Sequence, residues 1–220
     1  MNRTETAKRK YETIDLAYMA LGAVLIALCS WISIPAVVPF TMQTFAIFLV
    51  LLVLGGRRGT MTIVVYVLLG AVGLPVFSQF GAGIGVLLGS TGGYILGFIF
   101  MGLTYRLVTG AAGRSRSGKV RWTGTTGMGR SDKAKWAGAA GRSRSGKVRW
   151  TEAAALVLGL LVLYAFGTAW YMFMYARTQG GAGLMSVLLL CVIPFVIPDL
   201  IKLALALALA RRLAPAFFRM

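Results

Sequence analysis

A carboxylate and an ammonium group, on Asp199 and Lys202, lie three residues apart well inside the last long apolar stretch of the chain. A charged side chain at the centre of a bilayer costs about 2.5–3.5 kcal/mol on insertion scales, and more on an isolated helix. Residues at positions i and i+3 share one face of a helix, so these two groups can neutralise each other or hold a polar ligand. The spacing therefore predicts either a structural ion pair between helices or a polar binding site inside a membrane protein.

The composition of the chain defines its broad class. The 220 residues are 58% apolar, a higher fraction than in soluble domains, which predicts an integral membrane protein with one compact bundle. The chain has no histidine, which removes His-ligated metal sites and Ser-His-Asp triads. Its two cysteines, Cys29 and Cys191, lie in apolar stretches and are expected to be packing residues. We therefore expect neither an enzyme nor a protein with a metal or cofactor.

The fold class predicted from the apolar stretches is an all-α membrane bundle of six transmembrane helices, since about 20 apolar residues cross a bilayer as a helix. The six stretches cover residues 14–34, 40–54, 60–74, 92–108, 153–175 and 183–210. The second and third are short, and the glycine-rich segment 55–59 predicts a tight turn between two antiparallel helices. The chain then divides into an N-terminal segment, four helices, an insert, and two helices with a tail: 1–13, 14–108, 109–152 and 153–220.

Lysine and arginine are concentrated on one side of the predicted bundle. With the N-terminus inside, the inner segments carry nearly all of them, whereas the outer connections carry Arg177 alone. Cytoplasmic loops are enriched in Lys and Arg, so both termini are expected in the cytoplasm, with the bundle in a bacterial plasma membrane. The outer connection 75–89 is uncharged and glycine-rich, which predicts an extracellular lid that folds back into the mouth of the bundle. A flexible loop with close helix packing is the alternative.

Segment 110–151 differs in composition from the rest of the chain. It carries eleven Lys or Arg and one acid, and residues 110–123 recur verbatim as 138–151. This composition predicts disorder. Residues 113–119 resemble the start of a phosphate-binding loop, but the Ser or Thr that must follow is missing, so we dismiss nucleotide binding. A solvated loop is the simplest interpretation; contact with anionic lipid or nucleic acid, and a role as a membrane-anchored scaffold, are the alternatives.

Several short motifs follow one another along the chain, and their order is more specific than any one of them. They cover residues 20–27, 38–45, 54–59, 66–77, 88–98, 164–170 and 194–202, and include Val-Pro-Phe-Thr-Met-Gln-Thr-Phe, Leu-Gly-Gly-Arg-Arg-Gly and Leu-Gly-Ser-Thr-Gly-Gly-Tyr. In this order they resemble the BioY family, the biotin-specific substrate-binding S components of energy-coupling factor (ECF) transporters. The chain departs from the family at Ser90, where proline is usual, and at Ile197-Pro198, where Pro-Gly is usual. The basic insert is outside the family pattern.

The resemblance implies a high-affinity biotin-binding membrane subunit of an ATP-driven vitamin importer. Such a subunit captures biotin at the outer face and delivers it inward, within the membrane lipids, with an ECF transmembrane coupling protein and two ATPase subunits as partners. The nearest alternative is an S component for another vitamin. A scaffold that uses the basic insert is a second alternative.

The resemblance also directs attention to residues that can meet the chemical demands of biotin. Its ureido ring requires acceptors for two N–H groups and donors for one carbonyl, its carboxylate requires a donor or a cation, and its thiophane ring and chain require apolar walls. The predicted ligand-binding residues are Asp199, Lys202, Gln43, Thr91, Tyr94 and Gln79 for the polar groups, and Phe77, Tyr164 and Trp170 for the apolar surface. The alternatives are structural: Gln43 can bond helix backbones, Thr91 can cap a helix, and the aromatic residues can be interfacial anchors.

Three small residues of the first predicted helix form a candidate docking surface. Ala23 and Ala27 are four residues apart, and Ala20 lies one turn earlier. Small residues let another helix approach closely in lipid, so this stripe is the predicted contact with the coupling protein. The alternative is packing against the helices of the same chain.

Overall fold

The computed structural model describes residues 13–35, 39–116, 150–179 and 184–217, most of which are helical. The helices are α1 (Thr13–Trp31), α2 (Gln43–Val72), α3 (Ile84–Leu87), α4 (Gly92–Arg116), α5 (Trp150–Gln179), α6 (Leu184–Cys191) and α7 (Ile193–Phe217). A short antiparallel pair, β1 (Ser33–Ile34) and β2 (Phe40–Thr41), lies between α1 and α2. The start of the chain and most of the basic insert lie outside the described residues. The ends of the insert, 110–116 and 150–151, are helical, so the predicted disorder is wrong there, and it stays a prediction for the rest.

Helix α2 is a hairpin of two antiparallel arms, 43–54 and 56–72. Gly55 separates the arms with a positive φ (φ 79°, ψ 170°), a backbone conformation that glycine adopts without steric cost. A Cβ placed on Gly59 would lie 3.1 Å from the Cα of Leu51. In a straight helix, residues eight apart are separated by about 12 Å along the axis. The two short predicted spans and the tight turn between them are therefore confirmed.

Four helical stretches of the described residues are long and apolar enough to cross a membrane: Gln43–Val72, Gly92–Gly110, Trp150–Arg177 and Val187–Arg212. Asp15–Trp31 is a shorter apolar helix. Because the first of the four stretches is the α2 hairpin, these helices account for all six predicted apolar segments. The all-helical membrane bundle predicted from the sequence is confirmed.

Several helix boundaries differ from the predicted ones, and two of the differences change the shape of a predicted segment. Helix α4 continues to Arg116, beyond the predicted end at residue 108, so it runs into the first residues of the basic insert. The last predicted stretch is divided into α6 and α7 at Val192. Pro194 accounts for this break, since proline lacks a backbone N–H and its ring clashes with the carbonyl one turn earlier in a continuous helix.

Glycines bring α4 and α5 into close contact. A Cβ on Gly97 would lie 2.7 Å from Cδ1 of Leu163, and a Cβ on Gly167 would lie 2.3 Å from Cδ1 of Tyr94. A side chain at either position would push the two helices apart. This packing places Leu163 and Tyr94 at fixed positions in the interior of the bundle.

Helix α1 packs on α2 and buries two of the three alanines predicted for docking. Ala23 and Ala27 are 2% and 7% exposed in the core, whereas Ala20 is exposed. Gly22 allows this approach, since a Cβ there would lie 3.0 Å from Cγ2 of Thr62 on α2. Ala23 and Ala27 therefore pack against their own chain, as the alternative interpretation had it, and do not face a partner helix in this structure. The spacing of small residues is the same in both cases, so the sequence could not separate them.

The connection 73–91 folds back onto the end of the bundle, as predicted for this uncharged loop. Phe77 is fully buried, and its ring lies over Gly70, where a Cβ would come within 2.1 Å of its Cζ. The same ring is edge-on to Tyr66, with 5.7 Å between the ring centroids. The loop therefore fills part of the core, and its action as a lid stays a prediction.

Two tryptophans hold the two ends of this loop. The indole N–H of Trp31 on α1 donates to the carbonyl of Pro75 at 2.9 Å. The indole N–H of Trp170 on α5 donates to the carbonyl of Gly89 at 3.0 Å. The loop end of the bundle is thus attached to helices on both sides of the interior.

Candidate ligand-binding site

Asp199 and Lys202 form an ion pair on α7, inside the bundle. The Nζ of Lys202 lies 2.9 Å from Oδ1 of Asp199, and the two side chains are 5% and 4% exposed, respectively. They lie one turn apart on one helix face, which allows the contact. The predicted pairing at i and i+3 is confirmed.

The ammonium group of Lys202 has further partners from the segment that leads into α2. It donates to the carbonyl of Thr41 at 2.7 Å and lies 3.2 Å from Oγ1 of Thr44. It also sits 4.0 Å from the ring centroid of Phe40, within the range of a cation–π contact. An ammonium has three N–H donors, and Asp199, Thr41 and Thr44 provide three acceptors. The positive charge is therefore neutralised and solvated by protein groups.

The carboxylate of Asp199 is equally well supplied with donors. Oδ1 accepts from the hydroxyl of Thr44 at 2.9 Å in addition to Lys202, and Oδ2 accepts from the hydroxyl of Tyr164 at 2.7 Å. A carboxylate offers about four lone-pair sites, so these contacts leave room for one more donor. Burial of an ion pair is costly unless such additional hydrogen bonds are present. Helices α2, α5 and α7 together make the burial of this pair tolerable.

The pair lines a cavity at the loop end of the bundle. Its volume is about 70 Å³, below the range of about 300–1,000 Å³ for small-molecule sites, so the cavity must widen to admit a ligand of that size. The cavity is lined by Pro39, Thr41, Gln43, Thr44, Ser78, Thr91, Tyr94, Ile95, Phe98, Leu163, Tyr164, Cys191, Phe195, Asp199 and Lys202. Apolar walls with a few polar groups are typical of a site that binds a small molecule.

Most of the predicted ligand-binding residues meet at this cavity. Those that line it are Asp199, Lys202, Gln43, Thr91, Tyr94 and Tyr164. The other three lie elsewhere: Phe77 is packed in the core beneath the loop, Gln79 is exposed, and Trp170 is half-buried with its indole bonded to Gly89. Phe77 and Gln79 are neighbours on one loop with opposite environments, because the loop turns between them and only its base enters the core.

The alternatives for the lining residues can now be compared with their contacts. Gln43 donates from Nε2 to the hydroxyl of Tyr66 at 2.9 Å, so it bonds a side chain of the other α2 arm. Thr91 directly precedes α4, and its carbonyl accepts from the backbone N–H of Tyr94 at 3.1 Å. Thr91 therefore occupies the capping position of α4 and also lines the cavity, so its two interpretations do not exclude each other. The hydroxyl of Tyr94 lies 3.4 Å from Oγ1 of Thr168 on α5, so this partly buried side chain contacts the neighbouring helix.

Several residues of the site were not singled out in the sequence. Thr44 bridges both members of the ion pair, and Thr41 supplies a carbonyl to Lys202. Both belong to the motif 38–45 around Gln43, and their place in this motif was an available signal. Tyr164 was predicted as apolar surface, yet its hydroxyl binds the carboxylate of Asp199.

The arrangement suits a neutral or weakly charged polar molecule with an apolar body. The ion pair carries no net charge, and most of its hydrogen-bonding capacity is used within the protein. The remaining polar lining consists of an amide and hydroxyl groups, on Gln43, Ser78, Thr91 and Tyr94. These groups both donate and accept, as a ligand with N–H and C=O groups requires.

Comparison with known proteins gives a consistent result. The sequence model of the BioY family matches residues 2–219. The chain is 33% identical over 200 residues to a probable biotin transporter BioY of Pyrococcus horikoshii, which covers 90% of this chain and 95% of that protein. It is 57% identical over 76 residues to the biotin transporter BioY of Thermotoga maritima, a match that spans 34% of this chain and 45% of that protein.

One solved structure shows the same fold. It is the S-component for biotin from an ECF-type ABC transporter, with a TM-score of 0.66 and 22% sequence identity, covering 91% of this chain and 90% of the other. At this identity the likeness shows the helical bundle alone.

Proposed function

This chain belongs to the BioY family, and we propose that it is a membrane subunit that binds biotin with high affinity and delivers it inward as the S component of an ECF importer. The observation that carries the proposal is the Asp199–Lys202 pair, kept inside the bundle at the wall of a cavity with apolar and polar lining. Burying a charge pair away from water costs free energy. Exposure of this pair to a ligand cavity explains why the chain keeps it.

The cavity offers what the two rings and the chain of biotin require. Apolar walls from Phe98, Leu163 and Phe195 suit the thiophane ring and the valeryl chain. The amide of Gln43 and the hydroxyl groups beside it suit the ureido group. The full occupation of Lys202 by protein acceptors favours a role for the pair as a fixed polar wall, with Asp199 able to accept one more N–H.

The distribution of charge supports an outward-facing cavity. Arg58, at the turn of the α2 hairpin, pairs with Asp15 near the start of α1 at 2.8 Å, and Arg106 on α4 lies beside the same turn at Gly56. The opposite end of α1, at Trp31, meets the loop that covers the cavity. Under the positive-inside rule the basic end is cytoplasmic, so the cavity opens to the outside and both termini lie inside.

In this proposal, partner proteins supply the energy for transport. They are an ECF transmembrane coupling protein and two ATPase subunits. Of the three alanines predicted for docking, Ala20 is exposed on α1, beside Leu21 and Val24. This face of α1 is available to a partner helix or to membrane lipids.

Titration of biotin into the detergent-purified full chain, by calorimetry, tests the proposal. We expect tight binding by the wild type and a loss of roughly 10-fold to 100-fold with Asp199→Asn, because a hydrogen bond to a charged group contributes about 1.5–3 kcal/mol and 1.4 kcal/mol is tenfold. Asp15→Asn is the matched control, since it removes a carboxylate from the exposed ion pair at the other end of the bundle. Indifference to biotin together with binding of riboflavin or thiamine would replace the proposal with an S component for another vitamin.

A further inference from the structure

A chain of hydrogen bonds connects the wall of the cavity to the covering loop. Gln43 lines the cavity, and its Nε2 donates to the hydroxyl of Tyr66 at 2.9 Å. The same hydroxyl donates to the carbonyl of Val76 at 3.0 Å, at the base of the loop. Tyr66 itself is fully buried and does not line the cavity.

The chemistry of these groups fixes the direction of each bond. A backbone carbonyl can only accept, so the single hydrogen of the Tyr66 hydroxyl is directed to Val76. Toward Gln43 the hydroxyl can then only accept, and the amide must present its nitrogen to Tyr66. The network thus decides the orientation of the amide, which geometry alone leaves ambiguous in a glutamine.

The fixed amide of Gln43 places one hydrogen-bond acceptor and one donor at defined positions on the cavity wall. With one N–H bound to Tyr66, the Oε1 atom and the second N–H of Gln43 remain for other partners. A carbonyl oxygen beside an N–H matches the complementary edge of a ligand that has an N–H next to a C=O, such as a cyclic urea or amide. A freely rotating amide would match such an edge only part of the time.

We propose that Tyr66 is a positioning residue for ligand binding: its hydroxyl orients the amide of Gln43 so that Oε1 accepts an N–H of the ligand. This inference rests on the proposed function, since it assigns the ureido N–H of biotin as the donor. Tyr66 is suited to the task because its ring is held edge-on by Phe77, and Phe77 is in turn packed on Gly70. The hydroxyl therefore has a defined position before any ligand arrives.

The test is a double-mutant cycle with biotin as the probe and the full chain in detergent. Tyr66→Phe removes the hydroxyl and keeps the ring, and we expect the Kd for biotin to rise about tenfold, in line with the loss of one hydrogen bond to a neutral group. Gln43→Ala removes the amide, and the variant with both changes should bind as Gln43→Ala alone does. Additive losses would overturn the inference, because they would mean that Tyr66 acts independently of Gln43.

Two control variants separate amide orientation from general effects on the fold. Tyr171→Phe removes the hydroxyl of another buried tyrosine, outside the cavity lining, and should leave the Kd unchanged. Trp31→Phe removes the indole donor to the loop carbonyl of Pro75, at 2.9 Å, and keeps the bond between Gln43 and Tyr66. A tenfold loss with Trp31→Phe would overturn the inference in favour of loop anchoring. Failure of the wild type to bind biotin would refute the proposed function instead, so the two failures are distinguishable.

Discussion

Two ion pairs among the described residues have nearly equal lengths and opposite environments. Asp199 and Lys202 are 2.9 Å apart at the cavity, with side chains 4% and 5% exposed. Asp15 and Arg58 are 2.8 Å apart at the basic end, with side chains 14% and 45% exposed. Distance alone therefore does not distinguish a functional pair from a surface contact.

The surroundings of the two pairs differ in what they must supply. The exposed pair can be solvated by water, and such pairs contribute about 0–1 kcal/mol. The buried pair takes hydrogen bonds from Thr44 and Tyr164 and donates to the carbonyl of Thr41, so protein groups take the place of water around it. Residues from four elements, β2, α2, α5 and α7, form or contact this one pair. A simple link between helices requires fewer contacts.

The largest expected effect follows from removing one member of the buried pair. Lys202→Met leaves Asp199 without its counter-ion, and breaking a buried pair in this way costs about 3–5 kcal/mol. We expect a clearly lower midpoint of thermal unfolding in detergent and no measurable biotin binding. A variant that unfolds at the wild-type temperature would show that the pair is more hydrated than the structure indicates.

An intermediate effect is expected from Tyr164→Phe. This change removes the 2.7 Å hydrogen bond to Oδ2 of Asp199 and keeps the aromatic wall. Hydrogen bonds to charged groups contribute about 1.5–3 kcal/mol, so biotin affinity should fall by roughly 10-fold to 100-fold. Calorimetric titration measures the loss, and Tyr105→Phe, a buried tyrosine outside the cavity lining, is the control. Equal losses in the two variants would contradict a specific role for Tyr164.

The smallest effect is expected at the basic end of the chain. Deletion of residues 110–137 joins Thr109 to residue 138. The 14 residues that then follow Thr109 have the original sequence, because residues 138–151 repeat 110–123. We expect the Kd for biotin to stay within about twofold of wild type, since the cavity lies at the other end of the bundle. A loss of binding would favour the scaffold interpretation of the insert.

The sequence predicted features that depend on local spacing. The turn at residues 55–59, the helical stretches and the contact between Asp199 and Lys202 all follow from patterns of a few residues. Features that join distant residues could not be predicted, such as the bond from Thr44 to Asp199 across 155 positions. The different environments of Phe77 and Gln79 had the same limit, because nothing local shows which loop residue enters the core.

One measurement tests the central claim that the buried pair is retained for a ligand. Asp199→Leu combined with Lys202→Met replaces both charges by apolar groups of similar size, a change that is often neutral or stabilising for a fold. We predict that this double variant unfolds at or above the wild-type temperature and shows no heat of biotin binding in calorimetric titration. Biotin binding at wild-type affinity by the folded double variant would contradict the account.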